Sequence, residues 1–264
     1  MKIVRFIADS EEGVSYGKLI NNEIYKIIGN IFEDDIDNML TGEHYNRDDI
    51  DLLSPVNPPN IIAIGLNYKE HARETGVKLP QQPLVFSKTT SSLTGPGDNI
   101  KLPKQAPDMV DYEAELGVVI SRRAKNISEA EASDYILGYT CVNDVTARDC
   151  QQNDGQWTRA KSFDTFCPAG PWIETEFNPD NCVISSVIND EVRQNSTTAD
   201  MIFSVFEIVS YLAKIMTLLP GTLITTGTPS GVGAGYEPGK FLQEGDVVKI
   251  RIEGIGILEN RVAK

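Results

Sequence analysis

After its first residue, Asp108, the stretch DMVDYEAELGVVI (108–120) contains three more acidic residues, and its apolar residues are typical of a buried strand. Asp111, Glu113 and Glu115 are spaced two apart, so in a strand their side chains point to one face. Carboxylates that face an interior are unfavourable unless a cation meets them. Glu113 and Glu115 are close enough to share one ion, and an oxygen-only pair suits Mg²⁺, Mn²⁺ or Ca²⁺. The alternative is a solvated strand face.

Another acidic residue, Asp144, follows the apolar residues of a second predicted strand, at about 135–143. The end of a buried strand is a common position for a metal ligand, and Asp144 would then add a carboxylate to the pair above. The alternative is that Asp144 caps the turn that follows it. The residues alone leave these two interpretations open.

One histidine has an acidic neighbour at helical spacing. In GLNYKEHARETG, Asn67 and Gly76 are typical of the start and the end of a helix of about two turns. His71 and Glu74 are three apart, so Glu74 can orient the imidazole as a base requires. Because so short a helix is not stable alone, we expect a lid that orders when a ligand docks. The alternative is a solvated pair on a surface helix.

Four further polar residues are candidates for binding an anion. Arg148 and Gln151 are three apart and would share a helix face, where they could hold a carboxylate or a carbonyl. Lys161 lies at a strand-like run into a turn, and Thr228 lies in the glycine-rich run TTGTPSGVGAG, whose amides could bind a carboxylate. Taken alone, Arg148, Gln151 and Lys161 are more often surface residues. The glycine-rich run lacks the G-K-[ST] of a P-loop and is equally consistent with tight turns.

The composition is typical of a globular protein with a core, with 41% apolar and 23% charged residues. A net charge of −14, from 24 basic and 38 acidic residues, argues against nucleic acid as a partner, because such a surface repels phosphates. We expect no membrane span, since no apolar run approaches the roughly 20 residues that one needs, and no signal peptide. The four cysteines form no C-x-x-C pair, so we expect reduced thiols in a cytoplasmic protein.

Strands dominate the predicted elements. Residues 1–30 predict short strands with tight turns, and 31–50 one short helix. The apolar positions of 198–217 follow the helical period and predict the longest helix. The Pro- and Asn-rich stretch 52–60 predicts a domain boundary. We therefore expect a small β-rich domain at 1–55 and a larger domain at 56–264. Because no strand–helix–strand rhythm repeats, the fold class is α+β, a β-rich mixed fold rather than a doubly wound sheet.

Six segments, in this order, resemble the fumarylacetoacetate hydrolase family: GLNYKEHARE, FSKTTSSLTGPGD, VDYEAELGVVI, NDVTARDCQQ, AKSFDTFCPAGPW and TTGTPSGVG. The resemblance covers about residues 56–264, and the N-terminal unit is similar to that of bacterial members. It implies a β-rich mixed fold of this family's type, usually a homodimer. It also implies a site for Mg²⁺ or Mn²⁺, which Ca²⁺ can occupy in crystals.

The resemblance also implies roles for individual residues. It assigns the metal ligands to Glu113, Glu115 and Asp144, and a water-activating pair on a lid to His71 and Glu74. The residues implied to line the substrate pocket are Arg148, Gln151, Lys161 and Thr228. We expect specificity to depend on lid and pocket residues, namely Tyr68, Lys69, Arg73 and the loop 78–83. Asp111 lies outside the ligand set and would at most accept hydrogen bonds behind it.

We therefore expect a metal-dependent enzyme that cleaves C–C bonds of 2-oxo acids, with acylpyruvates or diketo acids as its small-molecule substrates. The reaction would pass through an enolate that the metal stabilises, with Lys161 as a positive charge beside it. Loss of CO₂ would instead give an oxaloacetate-type decarboxylase. Movement of protons alone would give ketonisation or a hydroxymuconate-type isomerase, acting on 2-hydroxyhepta-2,4-diene-1,7-dioate. A non-catalytic protein that binds a metal or an anion is the alternative from another class.

Overall fold

Strands form most of the ordered framework. The computed structural model describes residues 1–8, 13–32 and 36–264, with main chain alone at 37 and 38. The strands in these ranges are β1 Lys2–Ala8, β2 Ser15–Ile20, β3 Glu23–Ile27, β4 Leu40–Asn46, β5 Ile50–Leu52, β6 Ile61–Gly65, β7 Leu84–Lys88, β8 Leu93–Thr94, β9 Asn99–Lys101, β10 Val110–Asp111, β11 Ala114–Ile120, β12 Ile136–Asn143, β13 Thr146–Ala147, β14 Cys167–Glu174, β15 Val183–Ile188, β16 Glu191–Thr197, β17 Leu223–Thr225, β18 Val247–Ile252 and β19 Gly256–Ala263.

The strands form one large sheet, one smaller sheet and a short pair. The large sheet has the order β4-β3-β2-β1-β14-β12-β11-β17-β6-β7, with β5 beside β1 and β8 beside β14. The smaller sheet has the order β16-β15-β18-β19-β9, and β10 pairs with β13. Most neighbours are antiparallel, whereas β6 with β17, β8 with β14 and β9 with β19 are parallel. This mixed, strand-rich architecture confirms the predicted α+β class.

The N-terminal strands continue the large sheet. β1 joins β14 with Ile3 opposite Ile173. Asn21 and Asn22 link β2 to β3, and their φ angles of 48° and 71° are the positive values that a type I′ hairpin turn requires. The short strands predicted within residues 1–30 are present as β1, β2 and β3. We keep the division into a small N-terminal domain and a larger C-terminal domain as a proposal.

Helices are few and short. The α-helices are α1 Lys69–Glu74, α2 Arg148–Asp154, α3 Thr158–Lys161 and α4 Val205–Ile215. The single helix predicted within 31–50 is replaced by two 3₁₀ helices, Ile36–Met39 and Arg47–Asp49, around β4, while 33–35 lie outside the described residues. In the described parts of the chain, no helix is long and apolar enough to cross a membrane.

Helix α4 is shorter than the apolar period predicts. It starts at Val205, where the Ser204 hydroxyl accepts a hydrogen bond from the Glu207 amide at 3.1 Å. Thr198–Asp200 forms a separate 3₁₀ helix. The predicted start at 198 is wrong because the N-cap side chain, rather than the apolar period, fixes where a helix begins.

The acidic stretch is divided between two strands. β10 ends at Asp111 and β11 starts at Ala114, so the stretch 108–120 does not form the single strand that its pattern predicts. β11 lies between β12 and β17 in the large sheet, and all of its residues are buried. Asp111 belongs to a different ladder, in which it pairs with Thr146. The expectation that Asp111 shares one strand face with Glu115 is therefore wrong.

The four cysteines are free and buried. Burial raises the pKa of Cys141 and of Cys167 to about 12. Because the thiolate is the reactive form, we predict that DTNB at about pH 8 labels the native protein far more slowly than the denatured protein. The denatured protein should yield all four thiols without added reductant. A lower yield would indicate a disulfide and contradict the structure.

Candidate metal centre and active-site cavity

One cavity brings together residues that are far apart in the sequence. Nine of the predicted site residues line it: His71, Glu74, Glu113, Glu115, Asp144, Arg148, Gln151, Lys161 and Thr228. They come from three helices, from β11 and the positions that adjoin β11 and β12, and from the glycine-rich run. The fold therefore assembles in one place the groups that the motifs single out separately.

The three carboxylates meet because β11 pairs with β12. The register sets Ala114 opposite Asn143, which brings Glu113 and Glu115 to the end of β12, where Asp144 follows. The Asp144 amide donates to the Glu113 carbonyl at 2.9 Å and extends this pairing by one step. Carboxylate oxygens of Glu113, Glu115 and Asp144 lie within 4.8 Å of one another, and all three residues are buried.

Two lysines lie against these carboxylates. Lys161 Nζ is 2.6 Å from both Glu113 Oε2 and Asp144 Oδ2, and Lys88 Nζ is 2.5 Å from Asp144 Oδ1. Lys161 is the last residue of α3 and is buried, so it belongs to a helix rather than to the predicted strand-like run, and it is not a surface lysine. Buried ions of opposite charge offset part of each other's desolvation in this way.

Lys88 is a site residue that the sequence reasoning missed. It closes β7, and its side chain is 0% exposed. The signal that indicated Asp144 would also have indicated Lys88, because both are charged residues that end a strand or directly follow one. β7 pairs along its length with β6, all of whose residues are buried.

The two glutamates respond to their surroundings in opposite ways. Burial disfavours the charged form of a carboxyl group and so raises its pKa. For Glu113, the Lys161 ammonium and the Arg148 guanidinium outweigh burial and lower the pKa to about 2. For Glu115, burial acts together with the repulsion of Asp144 and Glu113, and the pKa is raised well above its usual value.

The donor chemistry of the cluster fits a divalent cation. Three carboxylates offer the hard oxygen ligands that Mg²⁺ and Mn²⁺ prefer. Among the residues that the structure describes, Glu115 forms no ion pair, although its Oε2 accepts a hydrogen bond from the Gly227 amide at 2.8 Å. A buried carboxylate thus lacks a compensating charge, and a cation at this cluster would supply it.

Helix α1 carries the histidine and is held at both ends. His71 Nδ1 is 2.9 Å from Glu74 Oε2, as their spacing predicts. The Glu70 amide donates to Asp200 Oδ2 at 3.0 Å, and Glu74 Oε1 accepts from the Gly231 amide at 2.9 Å. These distant contacts supply the stability that a six-residue helix lacks alone. The expectation that α1 is a lid that orders when a ligand docks stays a prediction.

Asn67 is not the N-cap of α1. Tyr68 holds that position, without a side-chain cap. The Asn67 amide group instead donates to the Phe203 and Thr226 carbonyls at 3.1 and 2.8 Å and accepts from the Phe203 amide at 2.8 Å. The capping prediction is wrong because Asn67 joins two distant segments. Gly76 follows the helix with a φ of 68°, as expected for a glycine there.

Arg148 and Gln151 contact each other on α2. Arg148 Nη1 donates to Gln151 Oε1 at 2.9 Å, and its Nη2 lies 2.7 Å from Glu113 Oε1. Ala147 holds the N-cap position of α2, and the hydroxyl of the preceding Thr146 donates to the Asp144 carbonyl at 2.9 Å. The guanidinium is thus fixed at the wall of the cavity.

The glycine-rich run binds carboxylates, but those of the protein itself. Four of its amides donate to acidic side chains at or beside the cavity: Gly227 to Glu115, Gly231 to Glu74, and both Gly233 and Ala234 to Asp111. These amides therefore bind carboxylates, as predicted, but the carboxylates are side chains of the same protein.

The Thr228 hydroxyl is also engaged within the protein. It donates to the Ala114 carbonyl at 3.1 Å and accepts from Gln194 Nε2 at 2.8 Å. Gln194 is fully buried on β16 and also accepts from the Ala114 amide at 2.9 Å. No local motif marks Gln194, because only the sheet pairing brings it to this place.

Tyr68 is fully buried and pairs through its backbone with Met201. It is not part of the cavity lining, and Lys69 and Arg73 are exposed outside it. The expectation that Tyr68 contacts substrate is corrected by this placement, and the loop 78–83 likewise contributes no lining residue. The apolar part of the wall comes instead from Ile64, Leu66, Val77, Phe86, Trp157 and Val232.

Comparison with known proteins identifies the class to which this site belongs. The family model "Fumarylacetoacetate (FAA) hydrolase C-terminal" matches residues 60–263, and "Rv2993c-like, N-terminal" matches 1–55. Oxaloacetate tautomerase YisK of Bacillus subtilis is 43% identical over 83% of this chain and 75% of its own. Two solved structures cover 100% of this chain and 99% of their own. The 5-carboxymethyl-2-hydroxymuconate delta-isomerase from Mycobacterium smegmatis has 37% identity and a TM-score of 0.89, and the fumarylacetoacetate hydrolase from Exiguobacterium antarcticum has 35% and 0.88.

Sequence, fold and cavity agree on an enzyme scaffold whose buried acidic cluster can hold a metal. The chain belongs to the fumarylacetoacetate hydrolase family. The resemblance seen in six short segments is thereby confirmed across the whole C-terminal part.

We predict that Glu115→Gln removes the thermal stabilisation that Mn²⁺ gives to the wild-type protein. The metal-free variant should be at least as stable as the metal-free wild type, because glutamine has the same shape and cannot carry the charge that burial and the neighbouring acids disfavour at this position. Melting curves with and without Mn²⁺ measure both effects. Glu259→Gln, at an exposed position on β19, is the control and should keep the full Mn²⁺ shift. A shift that survives in Glu115→Gln would contradict a metal site at this carboxylate.

Proposed function

We propose that the protein is a divalent-metal-dependent enzyme that hydrolyses a C–C bond in 2-oxo acids of the acylpyruvate or diketo type. One observation supports this function above the others: the acidic cluster and the His71–Glu74 pair line the same cavity. The cluster suits a cation that holds the 2-oxo end of a substrate, and the pair suits a water molecule. Together they suit the attack of water on a carbonyl further along the chain.

The 2-oxo end of the substrate meets positive charge. A divalent cation held by Glu113, Glu115 and Asp144 would supply Lewis-acid stabilisation of the negative charge that develops on the 2-oxo oxygen. Lys161 adds a permanent charge beside it. Burial alone would lower the pKa of Lys161, but attraction by Asp144 and Glu113 outweighs burial and raises it, so the ammonium stays protonated. Arg148 offers a planar donor group for the substrate carboxylate.

His71 and Glu74 serve the water molecule. Glu74 engages Nδ1 of the ring, which leaves Nε2 to take a proton from water as the water attacks the distal carbonyl carbon. When the C–C bond breaks, its electron pair passes to the 2-oxo fragment, which lies nearest to Lys161. The proton held by His71 then returns to that fragment. The products are the 2-oxo acid with its new C–H bond and the carboxylic acid formed from the distal carbonyl.

The names of relatives favour a second candidate. Two of the proteins compared above are named as an oxaloacetate tautomerase and a delta-isomerase. Tautomerisation, isomerisation and decarboxylation share the enolate with hydrolysis, but they do not consume water. A non-catalytic binding protein is a more distant alternative, because it would not need Lys161, His71 and Glu74 to converge on the cluster.

We further propose that the ion is Mg²⁺ or Mn²⁺ and that the protein is a homodimer. Light scattering measures the molar mass and so tests the assembly.

A panel of 2-oxo acids tests the proposed function. We predict that with Mg²⁺ or Mn²⁺ the protein hydrolyses acetylpyruvate or fumarylpyruvate, with products identified by NMR. His71→Ala should lower hydrolysis by roughly 10²- to 10⁴-fold, the usual contribution of a general base. It should affect oxaloacetate decarboxylation or tautomerisation much less. Asp144→Asn should abolish all of these reactions, since each depends on the metal.

The other histidine provides the matched control. His44 is exposed on β4, so His44→Ala should keep full activity. Turnover of oxaloacetate alone, with no hydrolysis of either acylpyruvate, would replace the hydrolase proposal with the tautomerase or decarboxylase. Absence of turnover of every acid in the panel, with either metal, would contradict both.

A further inference from the structure

Asp111 has no part in the proposed reaction, although it is fully buried beside the site. Its strand β10 pairs with β13, where Asp111 lies opposite Thr146. β13 leads directly into α2, whose first residue is Arg148. Asp111 therefore lies next to the start of the helix that carries Arg148, and not in the cluster that can hold a metal.

The Asp111 carboxylate is fully engaged with hydrogen-bond donors. Its Oδ1 accepts from the amides of Gly233 and Tyr112 at 2.7 and 2.9 Å. Its Oδ2 accepts from Arg148 Nε at 2.8 Å and from the Ala234 amide at 3.0 Å. A carboxylate has about four acceptor sites, so none remains for a metal ion. These donors offset the burial of the charge.

Contacts at all three nitrogens fix the Arg148 guanidinium. Nε bonds to Asp111, Nη1 donates to Gln151, and Nη2 lies 2.7 Å from Glu113. Because the group is planar, these contacts define both its plane and its rotation. Without Asp111, the carboxylate partner that remains for Arg148 among the described residues is Glu113, which Nη2 already contacts, so the guanidinium would keep that contact but lose its fixed orientation.

Asp111 also fixes part of the cavity wall. It holds the amides of Gly233 and Ala234, and Ala234 lines the cavity. A Cβ atom at Gly233 would lie 2.6 Å from Asp111 Oδ1, so the run packs directly on the carboxylate. The same run holds Glu74 through the Gly231 amide.

We propose that Asp111 is a positioning residue that aims the Arg148 guanidinium at the carboxylate of the substrate and takes no part in binding the metal. The inference rests on the proposed function in one respect, namely that the cavity binds a metal and a carboxylate together. It does not depend on which reaction follows.

Binding of oxalate to the Mn²⁺-loaded protein tests this inference without a reaction. Calorimetry compares wild type, Asp111→Asn, Arg148→Gln and the double variant. Asp111→Asn keeps the size of the side chain but replaces one acceptor oxygen with a donor. We expect it to weaken oxalate binding by about tenfold to a hundredfold, the usual effect of losing a hydrogen bond to a charged group, and to leave Mn²⁺ affinity unchanged.

The double variant distinguishes positioning from general damage. If Asp111 acts through Arg148, the double variant binds oxalate no more weakly than Arg148→Gln alone. Additive losses, or a parallel loss of Mn²⁺ affinity in Asp111→Asn, would overturn the inference. Asp98→Asn is the control, since its exposed carboxylate binds Thr94 and Gly95 away from the cavity, and it should bind oxalate like the wild type.

Two further outcomes are informative. If the wild type binds oxalate as described but processes none of the 2-oxo acids, the proposed function fails and the positioning role stands. If the wild type binds no oxalate with Mn²⁺, the inference itself fails.

Should Asp111→Asn not fold, NMR of the wild type provides the test. The Arg148 Nη groups should give separate signals because rotation is blocked, and averaged signals would overturn the inference.

Discussion

Compensation of buried negative charge is the constraint on which the site depends. The β11–β12 register forces Glu113, Glu115 and Asp144 together inside the protein. Lys88 and Lys161 neutralise part of that charge, yet Glu115 has no ion pair among the described residues. Carboxylates buried so close together are unfavourable unless further positive charge joins them. The same imbalance that costs stability would therefore favour the binding of a cation at this cluster.

The glycine-rich run links the parts of the site to one another. Its amides hold Glu115 of the cluster, Glu74 of the histidine pair and Asp111 behind Arg148. A substrate that contacts the cation, the histidine and the arginine would thus meet groups that share one support. This arrangement accounts for a short helix, α1, that is ordered although its length alone would not stabilise it.

The sequence was informative where chemistry follows local spacing. The pair Glu113 and Glu115 and the helical pair His71 and Glu74 could be placed from periodicity, and so could the α+β class. Lys88, Gln194 and the true role of Asn67 could not, because their partners are brought to them by sheet pairing and loop packing. Tyr68 was misjudged for a related reason. Position beside a site residue does not determine whether a side chain faces the cavity or the core.

The most direct test of the account is a crystal structure with Mn²⁺, in which anomalous scattering locates the ion. The account predicts one strong peak in contact with carboxylate oxygens of Glu113, Glu115 and Asp144, and Asp111 still bonded to Arg148. A peak elsewhere in the protein, or no peak at this cluster at saturating Mn²⁺, would contradict the central claim.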